Sequence, residues 1–117
     1  MNTYSIIHIL DSNYRLLPPE MTMLKEREAS QLAELFGALS DPSRVRIIAQ
    51  LTHGEKNVSA LAQAVGLTDS AVSHQLRGLR QMKLVRARKA GRQVFYSLDD
   101  EHIADLYTRG LDHVRHG

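Results

Sequence analysis

Asp100-x-His102, ten intervening residues, and then His113-x-x-His116 place four N/O metal donors within the last eighteen residues of the chain. Imidazole nitrogens and a carboxylate are the donor set that a borderline divalent ion takes. The segment otherwise reads as one amphipathic helix, with Ile103, Leu106, Tyr107, Gly110, Leu111 and Val114 recurring at helical spacing. At about 100° per residue, His102 and His113 lie about 20° apart around such a helix, and His116 about 60° from His113. All three imidazoles edge the same side of the apolar stripe. Along the axis, however, His102 and His113 are separated by roughly 16 Å at about 1.5 Å per residue. One ion with bonds of about 2 Å cannot span that gap. An antiparallel second copy closes it: Asp100 and His102 of one chain meet His113 and His116 of the other, giving two equivalent sites in a twofold dimer. The same residues also suit the two ends of a helix. Asp99, Asp100 and Glu101 can cap its free N–H groups, and His113 and His116 complement the negative end of its dipole.

The elements that must carry this pattern belong to a single domain of 117 residues, large enough for a modest core that dimerisation would extend. The chain has no cysteine, which excludes disulfides, thiolate metal sites, thiol catalysis and thiol redox sensing. That absence fits a reducing cytoplasm. No apolar run approaches the roughly 20 residues of a membrane span. The N-terminus lacks the basic region of a secretory signal. A soluble cytoplasmic protein is expected.

A formal net charge of +2 conceals a strong asymmetry. Residues 68–98 hold seven basic side chains (Arg77, Arg80, Lys83, Arg86, Arg88, Lys89 and Arg92) against one acid, Asp69, a net +6. The rest of the chain holds eight basic and twelve acidic residues, a net −4. A basic block on an acidic body is the footprint of phosphate binding, and a merely solvated face would interleave the signs.

Residues 1–22 read as an N-terminal arm, and residues 23–117 as the folded domain. Within the arm, Tyr4, Ile6, Ile7, Ile9 and Leu10 suit a short helix or strand that Pro18-Pro19 interrupts. His8 and Asp11 are further N/O donors there, although a lone imidazole in such an arm is ordinarily just solvated. Leu24, Leu32, Leu35, Phe36 and Leu39 predict a helix over 23–39 with one apolar face. Asp41-Pro42 starts the next helix, to Thr52, with Val45, Ile48 and Leu51 inward and His53-Gly54 at its end. Val58 to Val65 is a short helix closed by Gly66. Thr68 caps another, from Asp69 to about Lys83, with Ala71, Val72, Leu76 and Leu79 inward.

Helix, glycine-containing turn and helix over 58–83 is a helix-turn-helix arrangement. Its second helix exposes Ser70, Ser73, His74, Arg77 and Arg80, whose hydroxyls and cations match base edges and phosphates. Residues 84–88 and 93–98 alternate as two strands around a basic tip at 89–92, a β-hairpin that makes a wing. Arg88, Lys89 and Arg92 would lie along a DNA backbone or enter the minor groove. The expected class is therefore mainly α with a β-hairpin wing, a winged helix-turn-helix.

Four stretches carry a family resemblance: Leu39-Ser-Asp-Pro-Ser-Arg-Val-Arg46, Ser70-Ala-Val-Ser-His-Gln-Leu-Arg77, Gly91-Arg-x-Val-Phe-Tyr96 and the terminal Asp-x-His…His-x-x-His. Together they resemble the ArsR/SmtB family of metal-sensing repressors over about residues 24–116. The resemblance implies a homodimer formed through N- and C-terminal helices, binding an inverted-repeat operator when metal-free and released by metal. It implies DNA contacts at Asp69, Ser70, Ser73 and His74. An acid at Asp69 is unusual facing phosphate, and the helix N-terminus is its other use. The family's Cys-x-Cys site corresponds to Asn57-Val58-Ser59 here, so both thiols are missing. What remains is the C-terminal helix site, filled by Asp100, His102, His113 and His116.

Three imidazoles and a carboxylate disfavour Cu(I) and suit Zn(II), with Co(II) a close mimic. Ni(II), which more often takes five or six ligands, would need His8, the N-terminal amine or water, and is the less favoured effector. The rival readings are a winged-helix repressor that answers to nickel or to a non-metal signal, and a metallohydrolase. No His-Glu-x-x-His pattern occurs, and four protein ligands leave no position for an activated water. Neither an enzyme nor a small-molecule substrate is expected.

Overall fold

The computed structural model describes residues 15–117. The short element expected around Tyr4 to Leu10, with His8 and Asp11, lies outside the described residues. By its contacts the chain forms two compact units, residues 1–34 and residues 35–117.

In the first unit, Pro19 opens a four-residue helix, α1 (Pro19–Thr22), which ends where Met23 turns extended at φ −115° and ψ 95°. The chain must then start afresh. The Lys25 N–H donates to Glu28 Oε1 at 3.0 Å, and α2 (Glu26–Ala38) begins with acids in its first turn. The helix expected over 23–39 is thus one helix that starts three residues later, at Glu26, and the proline pair nucleates a separate turn before it. α2 runs on into the second unit.

There, local chemistry sets each boundary. α3 (Pro42–Leu51) starts where the Ser43 N–H donates to Asp41 Oδ1 at 2.7 Å, with Pro42 at the first helical position. A two-residue strand, β1 (Lys56–Asn57), precedes α4 (Val58–Val65), whose cap is Asn57, accepting from the Ala60 N–H at 2.8 Å. Gly66 closes α4 in the left-handed region at φ 73°, where a side chain would be strained. Thr68 Oγ1 accepts from the Ala71 N–H at 3.0 Å and starts α5 (Asp69–Gln81). α5 ends two residues before the expected Lys83, because Lys83 itself is left-handed at φ 61°. The Leu84 N–H then donates back to the Leu79 carbonyl at 2.9 Å, the bond that closes a helix of this kind.

The hairpin strands are β2 (Val85–Ala90) and β3 (Gln93–Leu98), paired from Val85 with Leu98 to Ala90 with Gln93. The pairing runs further than alternation implied: Lys89 and Ala90 are strand residues, and only Gly91-Arg92 make the turn. β1 adds a third antiparallel strand on the other side of β3, pairing Lys56 with Tyr96 and Asn57 with Phe95. Two residues carry no periodicity, so this strand had no signal in the sequence. The chain ends in α6 (Glu101–His116).

The core joins Ile47, Ile48 and Leu51 of α3, Leu61 and Ala62 of α4, and Val72, Leu76 and Leu79 of α5 to Leu84, Val85 and Ala38. Each large aliphatic side chain withdrawn in this way contributes about 1.5–3 kcal/mol before entropy is counted. Val45, expected inward, is 36% exposed. It sits about 110° around α3 from the buried face centred on Ile47, Ile48 and Leu51. Ile47, absent from the expected core, is fully buried. Ala71 is only half-buried. No helix among the described residues is long and apolar enough to cross a membrane.

Candidate nucleic-acid interface and metal centre

α4 and α5, with the turn at Gly66–Thr68 between them, form the helix-turn-helix, and α5 is the helix whose outer face is polar. Ser70, Ser73, His74, Arg77 and Arg80 are all exposed along it, while Val72, Leu76 and Leu79 hold the opposite face in the core. The spacing that buries one face therefore determines which side chains the helix offers. At its start, Ser59 Oγ of α4 donates to Asp69 Oδ2 at 3.1 Å, a side-chain bond between the two helices.

A second set of side chains holds α5 in place. Gln75 donates through Nε2 to Asp41 Oδ2 at 3.2 Å and accepts from Arg44 Nε at 2.8 Å. The Arg44 guanidinium also reaches the Ala38 carbonyl at 3.4 Å. One amide in the middle of α5 is thus tied to the start of α3. Gly78 keeps room for the guanidinium, since a Cβ there would stand 3.1 Å from Arg44 Nη2. The Ser43 N–H, with Gln75 and Arg44 behind it, holds the Asp41 carboxyl below the ordinary carboxylate range. The Asp41 contribution to the brace is therefore present at neutral pH and weakens as acid protonates the carboxyl. Sequence reading found the Asp41 cap but missed the brace. Nothing in a linear pattern pairs Arg44 with a residue thirty-one positions away.

In the wing, Lys89 and Arg92 are exposed around the Gly91-Arg92 turn. Arg88 is differently placed. Its guanidinium donates to both oxygens of Glu55, at 3.0 and 2.9 Å, and lies 5.3 Å from the centroid of the Phe95 ring. The Arg88 hydrogen bond pulls the Glu55 carboxyl below its usual range, and Glu55 raises Arg88 in turn. Glu55 was not singled out from sequence, where it is one acid beside a glycine. Its importance comes from the fold, which brings the Glu55 side chain, just before β1, against Arg88 of β2.

The four proposed metal donors occupy the two ends of α6. Asp100 is its N-cap, accepting from the His102 N–H at 2.9 Å, and its Oδ1 is 3.3 Å from His102 Nδ1. At the other end, His116 Nε2 is 3.7 Å from Asp112 Oδ1, and His113 sits in the last turn. Asp100 is brought against His102, and His113 stands one turn from His116. The two pairs remain a helix length apart within one chain. Among the described residues, no three His, Asp or Glu side chains of one chain gather to hold a metal. The donor types fit a divalent ion, but within one chain the two pairs stand too far apart to share one.

Between these ends the apolar stripe of α6 faces a groove of about 450 Å³. Ile103, Leu106, Tyr107, Gly110, Leu111 and Val114 form one wall, and Phe36, Leu39, Val45 and Ile48 the other. α6 has no fully buried residue, Phe36 is 53% exposed and Val114 79% exposed.

Residues 41–87 match the family described as bacterial regulatory protein, arsR family. The chain is 44% identical over 110 residues to a transcriptional repressor SmtB homolog of Synechocystis, covering 94% of this chain and 80% of that one. It is 37% identical over 93 residues to a cadmium resistance transcriptional regulatory protein CadC homolog of Staphylococcus aureus, covering 79% and 77%. A homodimeric winged helix-turn-helix DNA-binding domain from Mycobacterium bovis superposes with a TM-score of 0.70 at 29% identity, covering 80% of this chain and 89% of that one.

Proposed function

This chain belongs to the ArsR/SmtB family of metal-sensing transcriptional repressors, and from that premise we propose that it binds operator DNA as a twofold dimer when metal-free and leaves it when Zn(II) occupies sites shared by the two α6 helices. The observation that carries this reading is the uncovered groove along α6 with donor pairs at its two ends. An antiparallel second copy laid on that groove covers its apolar walls, and the same act brings Asp100 and His102 to the partner's His113 and His116. The dimeric Mycobacterium relative supports the assembly. Residues 23–117 are then the DNA-binding and dimerisation domain, and residues 1–22 an arm.

The roles divide by element. Ser70, Ser73 and His74 lie at the end of α5 that approaches base edges, and Arg77 reaches phosphate or guanine. Lys89 and Arg92 lie along the backbone from the wing. Asp100, His102, His113 and His116 hold the ion, and when bound it would supply a crosslink that fixes how the two α6 helices cross. Zn(II) suits four N/O donors in a tetrahedron, and Co(II) mimics it.

The reading is tested by titrating zinc into chelator-treated protein bound to a fluorescent duplex from its own promoter, at fixed salt. Operator affinity is expected to fall at about one zinc per chain. Unchanged binding at saturating zinc overturns the zinc assignment, and the same titration with nickel then separates a different metal from a non-metal signal.

Arg88 enters differently from Lys89 and Arg92, because Glu55 already occupies it. Glu55→Gln should free the guanidinium for one more phosphate. Measured over a salt series, the slope of log affinity against log salt is expected to steepen by about 0.9. An unchanged slope would mean that Arg88 stays on Phe95 or that the wing does not reach the backbone there.

A further inference from the structure

We propose that Arg44 and Gln75 are the positioning residues through which the groove acts on α5: a shift of the corner between α2 and α3 is passed by Arg44 to Gln75 and changes how α5 is presented to DNA. The inference rests on the repressor reading above and deepens it by naming the side chains that carry its regulation.

α6, which bears the donor pairs, packs chiefly on α3, and α3 packs in turn on α5. α3 is therefore an intermediary between the two. The corner that leads into it has two faces, and their residues interleave along the chain. Phe36, Leu39, Val45 and Ile48 line the groove. Between them in sequence, Ala38, Asp41 and Arg44 build the hold on Gln75. Arg44 Nε donates to Gln75 Oε1 at 2.8 Å, Gln75 Nε2 donates to Asp41 Oδ2 at 3.2 Å, and Arg44 Nη1 reaches the Ala38 carbonyl at 3.4 Å. Val45 on the groove wall is the chain neighbour of Arg44, so a shift of one carries the other.

Stability alone does not call for this arrangement, since Val72, Leu76 and Leu79 already bury the inner face of α5. Apolar contact is non-directional and lets a helix turn or slide slightly on its bed. Hydrogen bonds are directional and fix both movements. Gln75 is half-buried at the border of the exposed face, directly after His74 and two residues before Arg77. Its amide is gripped at both ends, by a donor from Arg44 and an acceptor from Asp41. The rotation of α5 about its own axis therefore follows the corner, and with it the aim of Ser73, His74 and Arg77. Gly78 keeps the guanidinium seated, because a Cβ there would stand 3.1 Å from Arg44 Nη2. Neither Arg44 nor Gln75 has to touch DNA or metal to act in this way.

The test compares operator affinity of the full-length protein without zinc and at saturating zinc, at fixed salt, with circular dichroism melts for every variant. In the wild type zinc should lower affinity about 5- to 150-fold. Gln75→Met keeps a good helix former of similar size and removes both bonds. It should still bind zinc with the wild-type stoichiometry, while the zinc effect on operator falls below about twofold. Arg44→Met should do the same, and the two together should lose no more than either alone, because they belong to one relay. Asp41→Asn combined with Gln75→Glu exchanges donor for acceptor, retains the cap on Ser43 and should restore most of the effect. Amide hydrogen exchange of the free protein gives a readout without DNA: zinc should alter protection in both α3 and α5 of the wild type, and in α3 alone in Gln75→Met. If each variant weakens operator binding equally with and without zinc, the pair is a static prop and the inference falls. It falls also if the losses from Arg44→Met and Gln75→Met add. If zinc does not release the wild type, the repressor reading itself falls and takes the inference with it.

Discussion

His113→Asn is expected to abolish the response to zinc while leaving operator binding by the metal-free protein within about twofold. In the wild type, coupling between an effector and a ligand typically changes affinity about 5- to 150-fold. The variant should reduce that change to near unity. The asymmetry follows from where His113 lies. It is exposed in the last turn of α6, far along the helix from Asp100 and His102, and it contributes to neither the core nor the polar face of α5. Because affinity coupling is reciprocal, operator should weaken zinc binding in the wild type by the same factor, and this reciprocity should vanish in the variant. Anisotropy with zinc and calorimetry with and without duplex measure the two halves of the cycle. A variant that no longer binds zinc yet still releases operator on zinc addition would remove the α6 site from the mechanism.

The second large effect is expected at Leu111→Glu. Leu111 lines the groove and is only half-buried within its own chain, so the substitution should spare the fold and its far-ultraviolet circular dichroism. In the proposed dimer the same position is covered by the partner, and an unpaired carboxylate there costs several kcal/mol. The dimer dissociation constant should rise by at least about 100-fold, since each 1.4 kcal/mol is a factor of ten. Operator affinity should fall about as far, because two half-sites are then no longer held together. Leu111→Met, which keeps volume and polarity, should remain dimeric in sedimentation. A Leu111→Glu protein that still sediments as a dimer would move the interface elsewhere.

How much of this was legible beforehand differs by element, and the differences have physical causes. The helix starts at Asp41-Pro42, Thr68 and Asp100 could be read because capping is local chemistry between neighbours. The polar face of α5 could be read because its buried face recurs at 3.6 residues. β1 could not, since two residues have no period and exist as a strand only because β3 has a free side. The inward reading of Val45 failed, and Ile47 was overlooked, because α3 has two apolar faces, one to the core and one to the groove. A single chain's pattern does not say which is which. The pairing of Glu55 with Arg88 and the hold of Asp41 and Arg44 on Gln75 are long-range products of the fold. The donor pattern on α6 was visible as spacing, and the structure places its two pairs at the two ends of the helix.

The little strand β1 has a consequence for the kind of ruler this protein makes. Asn57 caps α4 with one side-chain atom, bonds the Gln93 side chain of the wing with another at 3.1 Å, and pairs through its backbone opposite Phe95. The first helix of the helix-turn-helix is therefore fastened to the wing by the same residue that starts it, and Gln75 fastens the second helix to α3. Each helix of the motif is thus tied by a side-chain bond to a neighbouring element. In the proposed dimer, a change at the α6 crossing would swing each half as one piece, like the two legs of a caliper. What such an instrument gauges is the distance and phase between half-sites, about 34 Å per helical turn of DNA, ahead of any single contact. Adding a few base pairs at the centre of the operator would misalign every contact of one leg at once, however faithfully each half-site is spelled.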